Sequence, residues 1–465
     1  MVLFLAHLVL AHLLWRAIRA WGTQPPVATA LAAIFALLGA GGTNILWEFQ
    51  IGYVASLLLG WSFILLVNHD GGLSRHDVFG AVAATAALMT SGVAVSMVVV
   101  GGLVAMGRRG WRAGVVAVVP PGIVYLVWFV LIGHAGFRLA GPWQRTVRAV
   151  PAFVVTGLIS AFSDAVGSRL FGPVVLIGLA LWALRRWNLI RTAACPALMG
   201  LVGTVVFLVI TSFGRDFDSA ALNRYVYVVV ALLLPAAGLA LSYVIARRKG
   251  RLIAVLGLLV LVGIANLGQL VTLRNRYTSQ SLTTERQIIA AARIAAVEPV
   301  IADSRPAANV DAPDLYISVL KVFTRNGDLP TGVHPGPLSV VNAATEIQLG
   351  LTTKPLFGAG GASILLPSPG FVVHVETDRC WSATSVSGRA LLDLNVHSPT
   401  ALWVDARLGG TMYATLTLGG QQGDSRSFGF GRQEQRWFDL AASPTRVSLA
   451  TPAGLTFASC SGSPE

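Results

Sequence analysis

Long apolar stretches fill the first 272 residues of the chain and predict a helical transmembrane domain. About ten of them approach the length needed to cross a hydrocarbon core of about 30 Å. They cover residues 2–20, 27–42, 50–67, 78–89, 93–106, 113–132, 170–184, 196–212, 225–246 and 252–271. The fourth and fifth are short and separated by three residues, so they are either two spans joined by a tight turn or a re-entrant pair.

The stretch 143–169 contains too many polar residues to be predicted as a membrane-spanning helix. Arg145, Arg148, Ser163, Asp164 and Ser168 are spread among apolar residues. The pattern predicts an interfacial helix on the outer leaflet. The alternative is an eleventh crossing, which would reverse the later loops and place the C-terminal region in the cytoplasm.

The pattern changes after the last span. Residues 273–364 are predicted to form an extracytoplasmic linker with short helices, at 283–296 and 315–323. From residue 365 to 465, short alternating apolar runs are separated by Gly, Ser, Pro and Asp. Such runs are typical of an antiparallel β-sandwich or jelly roll. The fold class is therefore a polytopic α-helical membrane protein followed by a β-rich extracytoplasmic domain.

Composition agrees with a membrane protein. Hydrophobic residues make up 54% of the chain and charged residues 12%, with a mean hydropathy of +0.68, so a soluble fold could not bury the apolar surface. The net charge of +13 comes from arginine clusters in short loops at alternate ends of successive spans. This placement follows the positive-inside rule and argues against a nucleic-acid partner. It places both chain ends outside the cytoplasm. The clusters are Arg16/Arg19, Arg108/Arg109/Arg112, Arg185/Arg186/Arg191 and Arg247/Arg248/Lys249/Arg251.

The three cysteines divide by region. Cys195 lies beside a predicted cytoplasmic loop, whereas Cys380 and Cys460 both lie in the predicted β domain. In an oxidising compartment the latter two are expected to form a disulfide. It would close a loop of about 80 residues and contribute about 4–5 kcal/mol in the chain-entropy model.

No P-loop, dinucleotide fingerprint, zinc-ligand spacing or serine elbow is present in the sequence. The predicted outer loops therefore hold the candidate residues. In the first, Trp47, Glu48 and Gln50 follow Asn44 at the end of a span, where a ring could stack on a sugar and the carboxylate and amide could bond to its hydroxyls. The alternative is an interfacial aromatic belt.

The second candidate loop lies between the two late spans. Arg215 and Arg224 flank Asp216 and Asp218 there. The guanidinium groups could bind a lipid-carrier phosphate in a bidentate manner. Alternatively, the four charges pair with one another on a solvated loop, where each pair contributes little.

Three stretches resemble a known family. "NILWEFQIGY", "TSGVAVSMVVVGGLVAMGRRGWR" with "PPGIVYLVWF", and "NRYVYVVVALLLPAAGLAL" look like actinobacterial-type multi-spanning membrane glycosyltransferases of the GT-C class. The resemblance implies polyprenyl-phosphate sugar donors and transfer at the extracytoplasmic face. Glu48, Gln50, Arg215 and Arg224 lie within or beside the shared stretches and are carried over as binding residues.

The family's acidic catalytic residues lie in a large outer loop just after the first span. No such loop precedes "NILWEFQ" here, so no catalytic residue is assigned. Either the N-terminal part of the architecture is missing or encoded elsewhere, or transfer activity has been lost.

The expected function is that of a glycosyltransferase-like protein in a bacterial plasma membrane, handling a polyprenyl-phosphate-linked sugar for cell-envelope glycan assembly. Its expected partners are the bilayer, the lipid-linked donor and a glycan acceptor. No cofactor and no metal site are assigned, and a bound divalent cation is kept as an alternative. The alternatives are a glycolipid transporter or flippase, and a non-catalytic scaffold of an envelope complex.

Aromatic residues recur in the predicted β domain. Exposed tryptophans there would suit stacking on a growing polysaccharide, whereas the alternation in "ALWVDARL" favours a core position for Trp403. The aromatic residues are Trp381, Trp403, Tyr413, Phe428, Phe430, Trp437 and Phe438.

Overall fold

The computed structural model describes residues 1–136, 143–215, 217–245, 249–301, 304–306, 315–358, 362–367, 370–377, 380–388, 390–441 and 445–460. The chain divides into two compact units, Met1–Arg276 and Tyr277–Glu465. The first is helical, and the second contains two β-sheets and several helices.

The first unit is built from antiparallel and parallel apolar helices. In chain order they are α1 (Val2–Ala20), α2 (Pro25–Ala36), α3 (Thr43–Leu46), α4 (Ile51–Val67), α5 (Arg75–Thr90), α6 (Val93–Arg109), α7 (Trp111–Leu131), α8 (Trp143–Val166), α9 (Phe171–Arg185), α10 (Cys195–Phe213), α11 (Asn223–Ile245) and α12 (Lys249–Val297), the last of which continues into the second unit. Short 3-10 helices at Gly39–Gly41, Glu48–Gln50, Trp187–Arg191 and Phe217–Ala221 join some of them.

Seven helical segments in the described part of the chain are long and apolar enough to cross a membrane. They include α1, α7, α8, α10, α11 and α12, and a segment from Glu48 to Val67 that contains α4. Helices α2 and α9 are apolar but shorter. The prediction of a mostly helical region with several membrane-compatible helices is thus confirmed, while the number of spans stays a prediction.

The two short predicted segments are full helices that run beside α4. Gly60 of α4 lies against Met97 of α6, and Gly101 of α6 lies against the ring of Phe63. A Cβ on Gly101 would stand 2.1 Å from that ring, so the close approach of α4 and α6 requires glycine. At the far end of the same pair, Arg109 contacts the carbonyl of Val67. The two segments are thus helices joined by a short turn, and whether they cross the membrane or re-enter stays a prediction.

These contacts define two ends of the first unit. At the Arg224 end, α4 and α11 begin and α10 ends, with Tyr225 packed edge-on against Phe207. At the Arg109 end, α4 and α6 end and α5 begins.

Helix α8 is 24 residues long, yet its first half lies at the Arg224 end. Trp143, its first residue, stacks on Phe213 at the end of α10, with ring centroids 5.4 Å apart. Gly157, in the middle of α8, lies against Leu208 of α10 and the carbonyl oxygen of Ala220.

The last turn of α8 lies at the same end. The carbonyl of Ala165 accepts a hydrogen bond of 2.8 Å from Asn266 of α12. The Asn266 side chain also accepts a hydrogen bond from the backbone of Ala40, and the neighbouring Gly41 packs on Tyr227, in the first turn of α11. Since both ends of α8 lie near the Arg224 end, the arrangement favours the interfacial helix over an eleventh crossing. Its position in a bilayer stays a prediction.

The second unit has two antiparallel sheets and the helices α13 (Ile317–Asn326) and α14 (Pro337–Gln348). Its strands are β1 (Leu349–Thr352), β2 (Ala362–Pro367), β3 (Phe371–Thr377), β4 (Cys380–Ser385), β5 (Ala390–Val396), β6 (Thr400–Ala406), β7 (Gly410–Leu418), β8 (Gln421–Gln422), β9 (Arg426–Phe430), β10 (Glu434–Leu440), β11 (Thr445–Thr451) and β12 (Leu455–Cys460).

The first sheet has the order β1-β10-β6-β12-β4-β3, and the second has β2-β5-β11-β7-β8 with β9 also paired to β7. From β4 onward, each sheet contains a set of four strands, β4-β12-β6-β10 in the first and β5-β11-β7-β9 in the second. Successive strands along the chain mostly belong to opposite sheets. This is the strand order of a jelly roll. Side chains from both sheets and from α14 share one hydrophobic core. The sheets begin before residue 365, because β1 pairs with β10 and β2 starts at Ala362.

Cys380 and Cys460 are register partners on the adjacent strands β4 and β12. Antiparallel partners have Cα atoms about 4.5–5.5 Å apart, within the range that a disulfide spans. The predicted bond itself involves the Cys460 side chain, which lies outside the described residues.

Candidate functional site

Buried amide groups without hydrogen-bond partners mark the Arg224 end. Asn44 of α3 is fully buried, and neither its Nδ2 nor its Oδ1 has a partner among the described residues. Gln50 is also buried, and its Oε1 is likewise without a partner in that part of the chain. A buried polar group left unpaired costs about 1–3 kcal/mol, so native proteins keep few of them. Their presence points to a ligand or ordered water in this region.

Asn44 is held near α11 by the segment that precedes it. Gly39–Gly41 packs against Asn266 of α12 and Tyr227 of α11, and α3 itself packs against α1 and α11. A Cβ on Gly39 would lie 2.1 Å from the Asn266 carbonyl oxygen, so the glycine permits this close approach. The helical pattern of the chain stops here because three glycines separate the apolar residues of α2 from α3.

A buried histidine supports the same region. His7 of α1 lies 2.8 Å from the Tyr227 hydroxyl through Nδ1 and 3.1 Å from the Ala36 carbonyl oxygen through Nε2. Since a carbonyl only accepts, Nε2 carries the proton, and the Tyr227 hydroxyl donates to Nδ1. The fully partnered His7 is therefore structural, and it joins α1, α2 and α11 close to Asn44.

Two arginines and two tyrosines lie near these amides. The Arg224 guanidinium carbon is 5.2 Å from the centre of the Tyr225 ring, and the buried Tyr225 hydroxyl has no described hydrogen-bond partner. Tyr53, one helical turn after Gln50, interacts electrostatically with Tyr225, Arg224 and Arg215. Elements from two distant parts of the sequence, α4 and α11, thus contribute to one polar group.

The arginines retain unused binding capacity. Arg224 is half-buried, and its Nε has no hydrogen-bond partner among the described residues. Arg215 is exposed. Neither forms an ion pair with a described carboxylate. Asp216 and the side chain of Asp218 lie outside the described residues, so the predicted self-pairing within this loop stays a prediction.

The first candidate loop separates into two environments. Gln50 is buried, but Glu48 is exposed and lies 2.9 Å from the Met1 amine. Trp47 stands beside the exposed Phe49, with ring centroids 5.8 Å apart. Gln50 therefore belongs to the buried polar group, whereas Trp47, Glu48 and Phe49 form a surface rim.

The candidate site consists of the buried Asn44, Gln50 and Tyr225 together with the half-buried Tyr53 and Arg224. Its positive charge, amides and hydroxyls suit an anion that also carries hydrogen-bonding groups. Tyr53 and Tyr225 were absent from the candidates that the sequence suggested. The available signal was their spacing, since Tyr225 follows Arg224 directly and Tyr53 lies three residues after Gln50.

A second polar cluster, at the Arg109 end, is built around the paired carboxylate of Asp77, although the Nε of Arg109 has no described hydrogen-bond partner. Arg109 donates to both carboxylate oxygens of Asp77, at 3.1 and 2.5 Å, and the Ser74 amide donates to Asp77 at 2.9 Å. His69 lies 3.3 Å from the same carboxylate. Burial would raise the pKa of Asp77, but the hydrogen bonds from Arg109 and Ser74 and the nearby charges lower it overall. Because Ser74 and Asp77 form a capping box at the start of α5, this cluster anchors a helix.

Among the described residues, no group of three or more His, Cys, Asp or Glu side chains could hold a metal ion. No protein-family model matches the chain, and no curated protein matches it either.

Proposed function

We propose that the candidate site binds the phosphate and first sugar of a polyprenyl-phosphate-linked sugar, in a glycosyltransferase-like protein of a bacterial plasma membrane. The observation that carries the proposal is the buried Asn44, whose amide lacks a partner in the described part of the chain. Its helix, α3, packs against α11, the helix that carries the half-buried Arg224. An amide can bond to sugar hydroxyls as donor and acceptor, and a guanidinium can bind a phosphate with two parallel hydrogen bonds.

The surroundings favour a lipid-borne ligand. The site lies where several apolar helices begin or end, and two aromatic residues stand beside it, the half-buried Trp47 and the exposed Phe49. Such rings prefer the interface between hydrocarbon and water. A headgroup could therefore reach Arg224 while its chain stays among the apolar helix surfaces.

In a transfer reaction, the departing lipid phosphate would gain negative charge. Arg224 and Arg215 would stabilise that charge electrostatically, and an enzyme carboxylate would remove the proton of the acceptor hydroxyl. No residue is assigned to this carboxylate.

We further infer that the Arg224 end and the second unit face the extracytoplasmic side, and that Cys380 and Cys460 are bonded there. The inference rests on the arginine clusters and on the register of β4 and β12. Thiol titration of the unreduced, denatured protein should detect Cys195 alone, and detection of all three cysteines would contradict the disulfide.

Binding of a radiolabelled polyprenyl-phosphate sugar to the full chain in detergent tests the proposed site. Arg224→Lys and Arg215→Lys should each weaken binding by about 1–3 kcal/mol, because lysine keeps the charge but loses the bidentate geometry. Competition with the unglycosylated polyprenyl phosphate and with the free sugar separates the two halves of the ligand.

Arg186→Lys is the matched control. Arg186 also lies over a tyrosine, with its guanidinium carbon 4.3 Å from the centre of the Tyr243 ring, but near the opposite end of α11. Its replacement should leave binding unchanged. Wild-type affinity in both the Arg215 and Arg224 variants would remove the phosphate site.

A further inference from the structure

The outward side of the first sheet of the second unit carries two tryptophans. In β6, Leu402 and Val404 are fully buried in the core, so Trp403 between them points to the opposite side. In β10, the fully buried Phe438 follows Trp437, which likewise points outward. The expectation that Trp403 belongs to the core is therefore wrong, because the side that faces the core is occupied by its aliphatic neighbours.

The two tryptophans form one aromatic surface. They are register partners on β6 and β10, their ring centroids are 5.2 Å apart, and the rings meet edge to face. Both are half-buried, so part of each ring remains accessible. Their mutual contact restricts the rotation of each ring, which lowers the entropy lost when a ligand stacks on them.

Small and polar side chains continue this surface across the sheet. Next to Trp403, the register places Ala458, then Ser382, then the exposed His374. With Thr352 beside Trp437, these residues form a row across all six strands. The row spans about 24 Å, from five strand spacings of about 4.8 Å. We call it the Trp403 face.

A second row lies beside the first and is also hydroxyl-rich. It contains Gln435, Asp405, Thr456 and Thr384, of which the two threonine hydroxyls are 3.0 Å apart. These side chains offer both hydrogen-bond donors and acceptors next to the rings.

The near absence of charged side chains on the Trp403 face indicates which class of ligand it suits. Its two rows, as far as the structure describes them, contain no Lys or Arg, and Asp405 is their one carboxylate. Without cations the face does not suit a nucleic acid or an anionic lipid surface. A mixture of ring surface and neutral hydrogen-bonding groups suits a ligand with C–H faces and many hydroxyls.

We propose that the Trp403 face binds an uncharged glycan chain, with sugar rings stacked on Trp403 and Trp437 and hydroxyls bonded along the row. This binding site is separate from the candidate site of the first unit and does not rest on the function proposed for it. It would hold a polysaccharide independently of any lipid carrier.

Isothermal titration of the full chain in detergent with soluble glucan, mannan, galactan and arabinan tests the proposal. At least one of these neutral polymers should bind. Trp403→Ala and Trp437→Ala should each weaken its binding about tenfold or more, and Trp403→Phe should weaken it less because a ring remains. Tyr413→Ala is the control, since Tyr413 is an exposed aromatic residue on the other sheet and should not affect binding.

Ala458→Arg provides a variant that keeps both tryptophans. Its long cationic side chain would cover the ring of Trp403 from the adjacent strand and should abolish binding while leaving the thermal melt unchanged. Failure of all four polymers to bind the wild type would overturn the proposal, as would wild-type affinity in the folded Ala458→Arg variant. Loss of self-association in that variant, with glycan affinity unchanged, would instead assign the face to a protein interface.

Discussion

Two buried asparagines at the Arg224 end differ in the hydrogen bonding of their side-chain amides. Asn266 donates to the carbonyls of Ala165 and Val262 and accepts from the backbone of Ala40, so its amide is satisfied by protein. Asn44 is equally buried but has no partner among the described residues. The contrast separates a residue that holds the structure together from one that is available to a ligand.

Asn44→Leu should therefore stabilise the ligand-free protein by about 1–3 kcal/mol. Leucine is similar in size to asparagine, so the change removes the unpaired buried amide without altering the packing volume greatly. The same change should weaken binding of the polyprenyl-phosphate sugar. Thermal unfolding in detergent and the binding assay measure the two effects. Asn266→Leu is the control and should destabilise the protein, since the Ala165 carbonyl and the Ala40 amide both lose their partner. Destabilisation by Asn44→Leu would indicate that Asn44 is structural.

The Asp77–Arg109 pair gives a second prediction at the level of residues. Both side chains are buried, with exposed fractions of 7% and 4%. Asp77→Asn should lower the free energy of unfolding by about 3–5 kcal/mol, because it leaves the Arg109 charge unpaired. Asp70→Asn should cost at most about 1 kcal/mol, since Asp70 pairs with Arg108 at 2.8 Å but is 83% exposed. Equal losses in the two variants would contradict this account.

The pH dependence of the same pair follows from its pKa. The folded protein holds the pKa of Asp77 below the ordinary aspartate value, so its unfolded state takes up a proton first as the pH falls. The stabilisation from Asp77 is thus complete above about pH 4 and is lost as the pH falls through the lower, folded pKa. Asp77→Asn should remove this part of the acid sensitivity.

Among the elements, α8 shows why length and hydropathy do not settle the role of a helix. Its composition would allow a crossing, but its contacts with Phe213, Ala220 and Asn266 all lie toward the Arg224 end. Its polar side chains are spread along its length rather than confined to its two ends.

Cysteines introduced at Gln144 and Ser168, just inside and just beyond α8, test this arrangement. Both should react with a membrane-impermeant maleimide from the same side of intact cells. A crossing helix would instead expose the two positions on opposite sides. The parent protein without either substitution reports the background from Cys195, Cys380 and Cys460, and a cysteine at Gly250 serves as the control expected to react from the other side.

At the scale of the whole molecule, the second unit includes more than the strands that alternation reveals. Strand β1 pairs with β10 through four residues, and buried residues of α14 join the core of the sheets. Arg426 of β9 also donates to the carbonyls of Glu346 and Leu349, and so ties β9 to the end of α14.

A fragment covering residues 277–465, produced in an oxidising compartment, should therefore melt cooperatively and at a higher temperature than one covering 365–465. The shorter fragment lacks α14, β1 and part of β2, and it exposes the edge of β10 and the buried side of the sheets. Circular dichroism on heating measures both. An identical melt for the two fragments would show that the strands fold without the preceding helices.

The sequence by itself determined the features that depend on local order. Apolar stretches of sufficient length predicted the helical region, because the backbone must satisfy its own hydrogen bonds wherever water is absent. Alternation predicted the β region, because successive side chains of a strand point to opposite sides. The sequence also suggested Arg224 and Gln50 as candidate residues and predicted a bond between Cys380 and Cys460, and these stay predictions.

Only the tertiary structure decided which of these residues belong together. Gln50 and Glu48 are two positions apart, but one is buried beside Tyr53 and the other is exposed, because the turn at Glu48–Gln50 directs them differently. Asn44 and Arg224 are separated by most of the first unit, and the packing of α3 on α11 brings their elements together. Alternation likewise predicts that the Trp403 side chain lies on the opposite side of the sheet from those of Leu402 and Val404. It does not show which of the two sides faces the core. That depends on the second sheet, which is built from residues far away in the sequence.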